Sequence, residues 1–276
     1  MRDALLRFLS IMAALVAGTL LLLILGELVR ASWPALRSLP LGGWLLSGHW
    51  APSEGEFGLG AMLAASLITS VLALAIAGPV GVFLGGWLHL SAPARVASPL
   101  RALQGVMAGV PSVVYGFWGL VTLVPLVNLW APPGAVLITA VLVLALMILP
   151  LSVIVTDAAL HQVPAPAMQA ARALSLSRWG TFRKVMWPHV RGSVASGIVL
   201  QFGRALGETM AVLMVAGNVL QWPSSLTEPV RTITANIALE MGYASGLHLQ
   251  VLFLSGLVLL VMVIFSMLLV RVGVRS

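Results

Sequence analysis

The 276-residue sequence contains no cysteine, a single lysine, and only 8% Asp, Glu, Lys or Arg. The missing thiols exclude a disulfide framework, a thiolate nucleophile and a cysteine-held metal. The one lysine, Lys184, is followed by Val185, so the G-x-x-x-x-G-K-[ST] loop that cradles nucleotide phosphates has no place in the chain. Charge is scarce against the roughly 25% of ordinary soluble domains, and the hydrophobic set reaches 60% where about 45–50% is usual. A soluble globular protein is excluded, and so is a disordered chain, since neither composition leaves so much apolar surface to bury. What is present suits a bilayer. Fifteen basic residues against eight acidic ones give a formal net charge of +7, and their positions decide what that excess means.

A hydrocarbon core about 30 Å thick needs about 20 helical residues to cross it. Uncharged runs of that length fall at about Phe8 to Gly26, Leu59 to Leu88, Leu103 to Val127, Ala135 to Val155, from after Arg191 to about Ala216, and Val251 to Val270. No ten-residue alternating pattern suggests a barrel, and open strands cannot cross lipid, so the expected fold is an all-α integral membrane protein with six transmembrane helices. Residues 1–276 form one membrane domain on this reading. Arg2 and Arg7 would suit a secretory signal, but the first run exceeds the usual 7–15-residue apolar stretch and no A-x-A-like site closes it, so it is expected to remain as a helix. With the N-terminus inside, Arg2, Arg7, Arg95, Arg101, Arg172, Arg178, Arg183, Lys184, Arg191, Arg271 and Arg275 are inside. Only Arg30, Arg37 and Arg231 are then outside, so the positive-inside rule predicts that both termini face the cytoplasm. The basic excess then reflects topology, and no nucleic-acid role is expected.

The longest inner segment, about 157–191, reads as a helix, a turn and a second helical piece. Composition alone allows an interfacial amphipathic element, with Arg178, Arg183 and Lys184 at headgroups and Leu174, Trp179 and Phe182 dipping into lipid. Gln169-Ala170-Ala171, then Ser175, Val185 and Pro188, also resemble in spacing the EAA loop of ABC-importer permeases. This sequence has Gln169 where that loop usually has Glu, Ser175 where it has Gly, and Trp187 where it has Leu. The resemblance implies a type I ABC-importer permease fold in which Gln169, Ala170, Ala171, Ser175 and Pro188 dock on an ATPase subunit. It also implies that the nucleotide site belongs to another chain.

The fifth run carries Arg204 and Glu208. Counted from Ser193 at 1.5 Å per residue, Arg204 lies about 16 Å deep, near the midplane, where a charge is costliest. Four positions apart on a continuous helix, Arg204 and Glu208 share a face, and Glu208 partly neutralises Arg204. One reading is a self-compensating lock between helices. The other is an anion pathway, because a guanidinium offers phosphate and related oxyanions a planar fork of donors, and Gly203 and Gly207 allow close approach to the backbone. In the third run, Pro111 frees a carbonyl and predicts a kink beside Ser112 and Tyr115, which serves a wet polar face or plain packing. His49, His89, His161, His189 and His248 show no metal-ligand spacing and read as interfacial residues, and Asp157 reads as a solvated helix end.

GRALGETMAV at 203–212, followed by Gly217-Asn218, together with GVPSVVYGFWG at 109–119 and Phe57-Gly58, resembles the phosphate-specific permease subunits of the Pst system, in particular the PstC type. The resemblance implies a phosphate pathway at Arg204, Glu208 and Thr209 with Ser112 and Tyr115. It further implies a second permease subunit of the PstA type, two ATPase subunits, a periplasmic or extracellular phosphate-binding protein, and a bacterial inner (plasma) membrane location. No catalytic residue, metal or cofactor is expected in the chain. Uptake of molybdate or sulfate, a non-transporting sensor or scaffold, and a secondary transporter are the alternatives.

Overall fold

The computed structural model describes residues 2–39 and 41–275. The chain opens with α1, Arg2–Ser38, followed by α2, Leu41–Leu46. A small antiparallel hairpin pairs β1, Trp50–Ala51, with β2, Glu56–Phe57, around a turn closed by Gly55 at φ 77°. Next come α3, Gly60–Leu90, and α4, Ala94–Gly109, then α5, Ser112–Trp118, which passes through a π-helical turn, Gly119–Leu123, into α6, Val124–Asn128. Helix α7 spans Leu137–His161. The basic loop holds α8, Ala165–Ala173, and α9, Arg178–Thr181, and a second π-helical turn, Phe182–Met186, leads into α10, Trp187–Leu206. The chain continues through α11, Met210–Val215, and α12, Ile233–Glu240, to α13, Gly246–Arg275.

Among the described residues, four helices (α1, α3, α7 and α13) are long and apolar enough to cross a membrane, and α4 with α5–α6, bent by 97° at their break, makes a fifth if the pair is one span. The protein is thus a multi-pass helical membrane protein, with four or five such spans among the described residues where six transmembrane helices were expected. The bend falls where Pro111 forces Val110 into an extended conformation (φ −66°, ψ 130°), since a residue before proline is crowded out of the helical region. The expected fifth run is divided at Gly207–Thr209 into α10 and α11. Helix α1 also runs past Gly26 to Ser38, helped by an ion pair one turn apart between Arg30 and Glu27 at 2.7 Å.

The centre of the fold is the α3–α7 pair. Along α3, the buried positions Ala65, Thr69, Ala73, Ala77, Gly81 and Gly85 recur every fourth residue and form one stripe of small side chains. Such a stripe lets two backbones approach closely, which in lipid replaces the missing hydrophobic drive with dispersion contact. A Cβ on Gly81 would run into Ser152, and one on Gly85 would meet the Thr156 Cβ at 2.7 Å. Leu137, Leu144, Met147 and Ile148 of α7 are fully buried, so α7 is enclosed on nearly all sides, whereas Leu20 to Ile24 of α1 stay exposed for lipid.

The two ends of the bundle differ. One carries Arg95, Arg101, Arg178, Arg183, Lys184 and Arg191 and is called the basic end below. At the other, Glu240 is only 5% exposed. It accepts hydrogen bonds from Trp50 Nε1 at 2.9 Å and Arg231 at 3.0 Å, and lies 2.8 Å from His248 Nε2, thereby joining hairpin, α12 and α13. A buried carboxylate is tolerated there because each oxygen is bonded.

Candidate functional site: two interrupted helices around Arg204

Arg204 lies in the last turn of α10, where a cation complements the carbonyl end of the helix, and its side chain is exposed. Among the described residues it forms no ion pair. Gly207 ends α10, and the next residues turn the chain into α11. Glu208 Oε1 accepts a hydrogen bond from Ala211 N at 3.1 Å, so the carboxylate caps α11 instead of neutralising Arg204. The expected shared face on a continuous helix is therefore corrected. The signal was in the sequence: a glycine followed by acidic and hydroxyl residues ahead of an apolar run marks one helix stopping and another starting. Thr209 is half-buried, and its hydroxyl lies 3.4 Å from Gly207 O.

The second interruption braces the first. Tyr115 is buried, and its hydroxyl donates to Met107 O at 2.8 Å, fastening α5 to the end of α4 across the bend. The bond lies within the bent pair itself. Ser112 is half-buried at the first turn of α5. Where α5 crosses α11, a Cβ on Gly116 would come within 2.7 Å of Ala211 Cα, so glycine is what permits the crossing. After α11, Gly217 (φ 83°) and Asn218 (φ 55°) adopt the left-handed conformation, and Asn218 Nδ2 satisfies Leu213 O at 2.7 Å. The α12 segment reaches back to this region: Thr234 Oγ1 donates to Glu208 O at 2.8 Å, and Ile233 N donates to Ser66 Oγ at 3.0 Å. Neither α12 contact was evident from sequence reasoning.

At the basic end, Pro164 precedes α8, and Ser177 accepts a hydrogen bond from Gly180 N at 3.1 Å to cap α9. Gln169 and Ala170 are exposed, and Leu174 is 73% exposed, whereas Ala171 is 2% exposed within this chain. Ala171 thus anchors α8 to its own bundle, and the surface free for a partner is formed by Gln169, Ala170 and Leu174. Ser175 has φ 50°, the left-handed conformation for which glycine is best suited, and Pro188 lies in the first turn of α10.

Asp157 is not a solvated helix end. It is 9% exposed and pairs with Arg101, with His89 and His161 beside it at 3.5 and 3.7 Å. The fold brings His89 of α3 to Asp157 and His161 of α7, from which it is far apart in sequence, and the ligand atoms of the three lie within 4.8 Å of one another. These three residues are a set that could hold a metal, yet the carboxylate already has the Arg101 guanidinium as its cation. His49, His189 and His248 lie elsewhere.

The family profile described as "Binding-protein-dependent transport system inner membrane component" matches residues 77–275. The chain is 33% identical to a phosphate transport system permease protein PstC of Mesorhizobium japonicum, over 94% of this chain and 89% of that protein. It is likewise 33% identical to the PstC of Haemophilus influenzae, over 95% and 90% respectively. Among solved structures, a chain of a bacterial alginate ABC transporter in complex with an alginate pentasaccharide-bound periplasmic protein has a TM-score of 0.66 at 14% identity, covering 96% of both chains. A chain of the inward-facing MetNI methionine ABC transporter gives 0.61 at 16% identity, covering 76% of this chain and 92% of that one. These two likenesses speak for the fold alone.

Proposed function

Because the chain belongs to the family of binding-protein-dependent transport system inner membrane components, we propose that it is the permease subunit of an ATP-driven phosphate importer, of the PstC type. The carrying observation is Arg204: a cation in the last turn of α10, exposed at a helix interruption and free of any carboxylate among the described residues. An intramembrane charge left without an internal partner is costly unless it serves a pathway, and a guanidinium suits a phosphate oxyanion. Its exposure in the single chain fits a pathway completed by a second permease subunit of the PstA type. Thr209 and Ser112, at the two interruptions, supply polar groups to the same pathway.

In this reading the basic end and both termini face the cytoplasm of a bacterial inner membrane. Two ATPase subunits close on binding ATP and reopen after hydrolysis, and one of them seats the exposed face of α8. The hairpin and α12 at the opposite end receive phosphate from a binding protein. The chain performs no chemistry; it couples alternating access to hydrolysis elsewhere. The two interrupted helices, crossing at Gly116 and Ala211, are where backbone movement costs least, since neither requires breaking a continuous hydrogen-bond ladder.

The test is phosphate uptake by the reconstituted complex with Arg204→Gln, which keeps hydrogen bonding and removes the charge. Uptake should fall sharply with assembly intact, and competition with sulfate and molybdate should leave phosphate uptake in place. Normal uptake by the variant would overturn the assignment of Arg204, and displacement of phosphate by sulfate or molybdate would reassign the substrate.

A further inference from the structure

A groove of about 680 Å³ lies at the basic end between α3, α9, the π-helical turn and the start of α10. Its walls are Phe83 and Trp87 from α3, facing Trp179, Phe182 and Trp187, with Trp179 and Phe182 stacked at 5.5 Å between centroids. Two glycines line it: a Cβ on Gly78 would meet nothing within 4 Å, whereas one on Gly86 would crowd Phe182 at 3.3 Å, so glycine leaves that ring its place. The polar groups among its lining are those of Ser91 and Arg178. From these features we infer that the groove holds an anionic phospholipid of the adjoining leaflet, one acyl chain between the aromatic walls and its phosphate against Arg178.

Three observations select that occupant. Tryptophans gather at the level where headgroups meet hydrocarbon, and three of them line this one groove. The charge around its rim is uncompensated, because Arg178, Arg183 and Lys184 are exposed and the sequence from Phe57 to Gly207 contains a single acidic residue, Asp157, which Arg101 engages. An exposed guanidinium beside an apolar slot complements a phosphate attached to a hydrocarbon chain. Finally, the groove turns away from the anion pathway: Ile198 lines it, and Arg204, six positions on in α10, points about 120° around the helix from Ile198.

Native mass spectrometry of the assembled complex, released from nanodiscs of mixed phosphatidylglycerol and phosphatidylcholine, tests the inference. The complex should retain phosphatidylglycerol in preference, and Arg178→Gln should reduce that preference about five-fold, the effect of one basic side chain at an anionic surface. Gly78→Leu, at a lining position where an added Cβ meets nothing within 4 Å, should expel the retained lipid of either kind while leaving the thermal midpoint of the complex unchanged. Equal retention of the two lipids by the natural sequence, or undiminished phosphatidylglycerol in both variants, would overturn the proposal. So would crosslinking of Phe83→Cys to the second permease subunit, which would make the groove a protein interface.

Discussion

Arg101 and Asp157 meet in a two-pronged ion pair, Nε to Oδ2 at 2.7 Å and the terminal nitrogen to Oδ1 at 3.1 Å, where α4 crosses the end of α7. The same Arg101 nitrogen reaches Leu88 O at 3.4 Å, so one side chain ties the ends of α3 and α7 to the middle of α4 just before the basic loop begins. Removing the carboxylate leaves a guanidinium without its partner, but Arg101 keeps some access to solvent. Asp157→Ala is therefore expected to cost about 1–3 kcal/mol, below the loss seen for fully buried pairs. Thermal unfolding of the purified complex measures it. Arg101→Lys should recover only part of the natural stability, because an ammonium cannot match two oxygens at once.

Glu208 and Arg204 are expected to act independently. Glu208→Gln keeps an oxygen for Ala211 N and should preserve assembly, whereas Glu208→Ala loses the cap and should lower stability by about 1 kcal/mol. In the double variant Arg204→Gln, Glu208→Gln, the stability changes should add within about 0.5 kcal/mol. A large favourable coupling would restore the lock reading. Uptake should stay low in the double variant even where assembly is normal, since the charge that meets the anion is gone.

Ser175 occupies the left-handed conformation at φ 50°, which costs a side-chain-bearing residue about 1–2 kcal/mol relative to its favoured backbone regions. Ser175→Gly should relieve that strain and stabilise the loop by up to about 1 kcal/mol, with coupling retained. Ser175→Val should do the opposite. Hydrogen exchange at Leu176, whose N–H bonds Ala171 O at 3.1 Å, reports the local change directly.

The faces of α8 should separate docking from folding. Leu174→Asp places a charge on an exposed face and is expected to leave expression and thermal stability unchanged while uncoupling ATP hydrolysis from uptake. Ala171→Leu overfills a buried position and should instead lower stability by about 1–3 kcal/mol. If Leu174→Asp leaves coupling at its natural level, α8 is not the docking face.

The spans were legible because lipid demands long uncharged runs, and α3 and α7 fall close to where those runs lie. Their interruptions were harder to see. Hydropathy averages over side chains and is blind to backbone direction, so the break at Gly207 disappears within an apolar stretch although Gly207, Glu208 and Thr209 spell out its caps. Pro111 did announce the other bend, but neither its 97° angle nor the close approach of Gly116 to Ala211 across it can be read from a proline in the sequence. The gathering of His89, Asp157 and His161 was invisible for a different reason: two come from one helix and the third from another, and only the close α3–α7 contact brings them together. The extension of α1 to Ser38 lay in its polar tail, which a search for lipid-compatible runs discards.

The small-residue stripe of α3 has a mechanical consequence. With Gly81 set against Ser152 and Gly85 against Thr156, the two longest central helices lack the clearance to slide or roll past one another, and they form a stiff mast. Deformation must then collect in the two elbows, at Val110–Pro111 and Gly207–Thr209, where the backbone is already turned. Spin labels spanning α3 and α7 should keep one fixed separation through the ATPase cycle, while a pair spanning the α10–α11 elbow should show two.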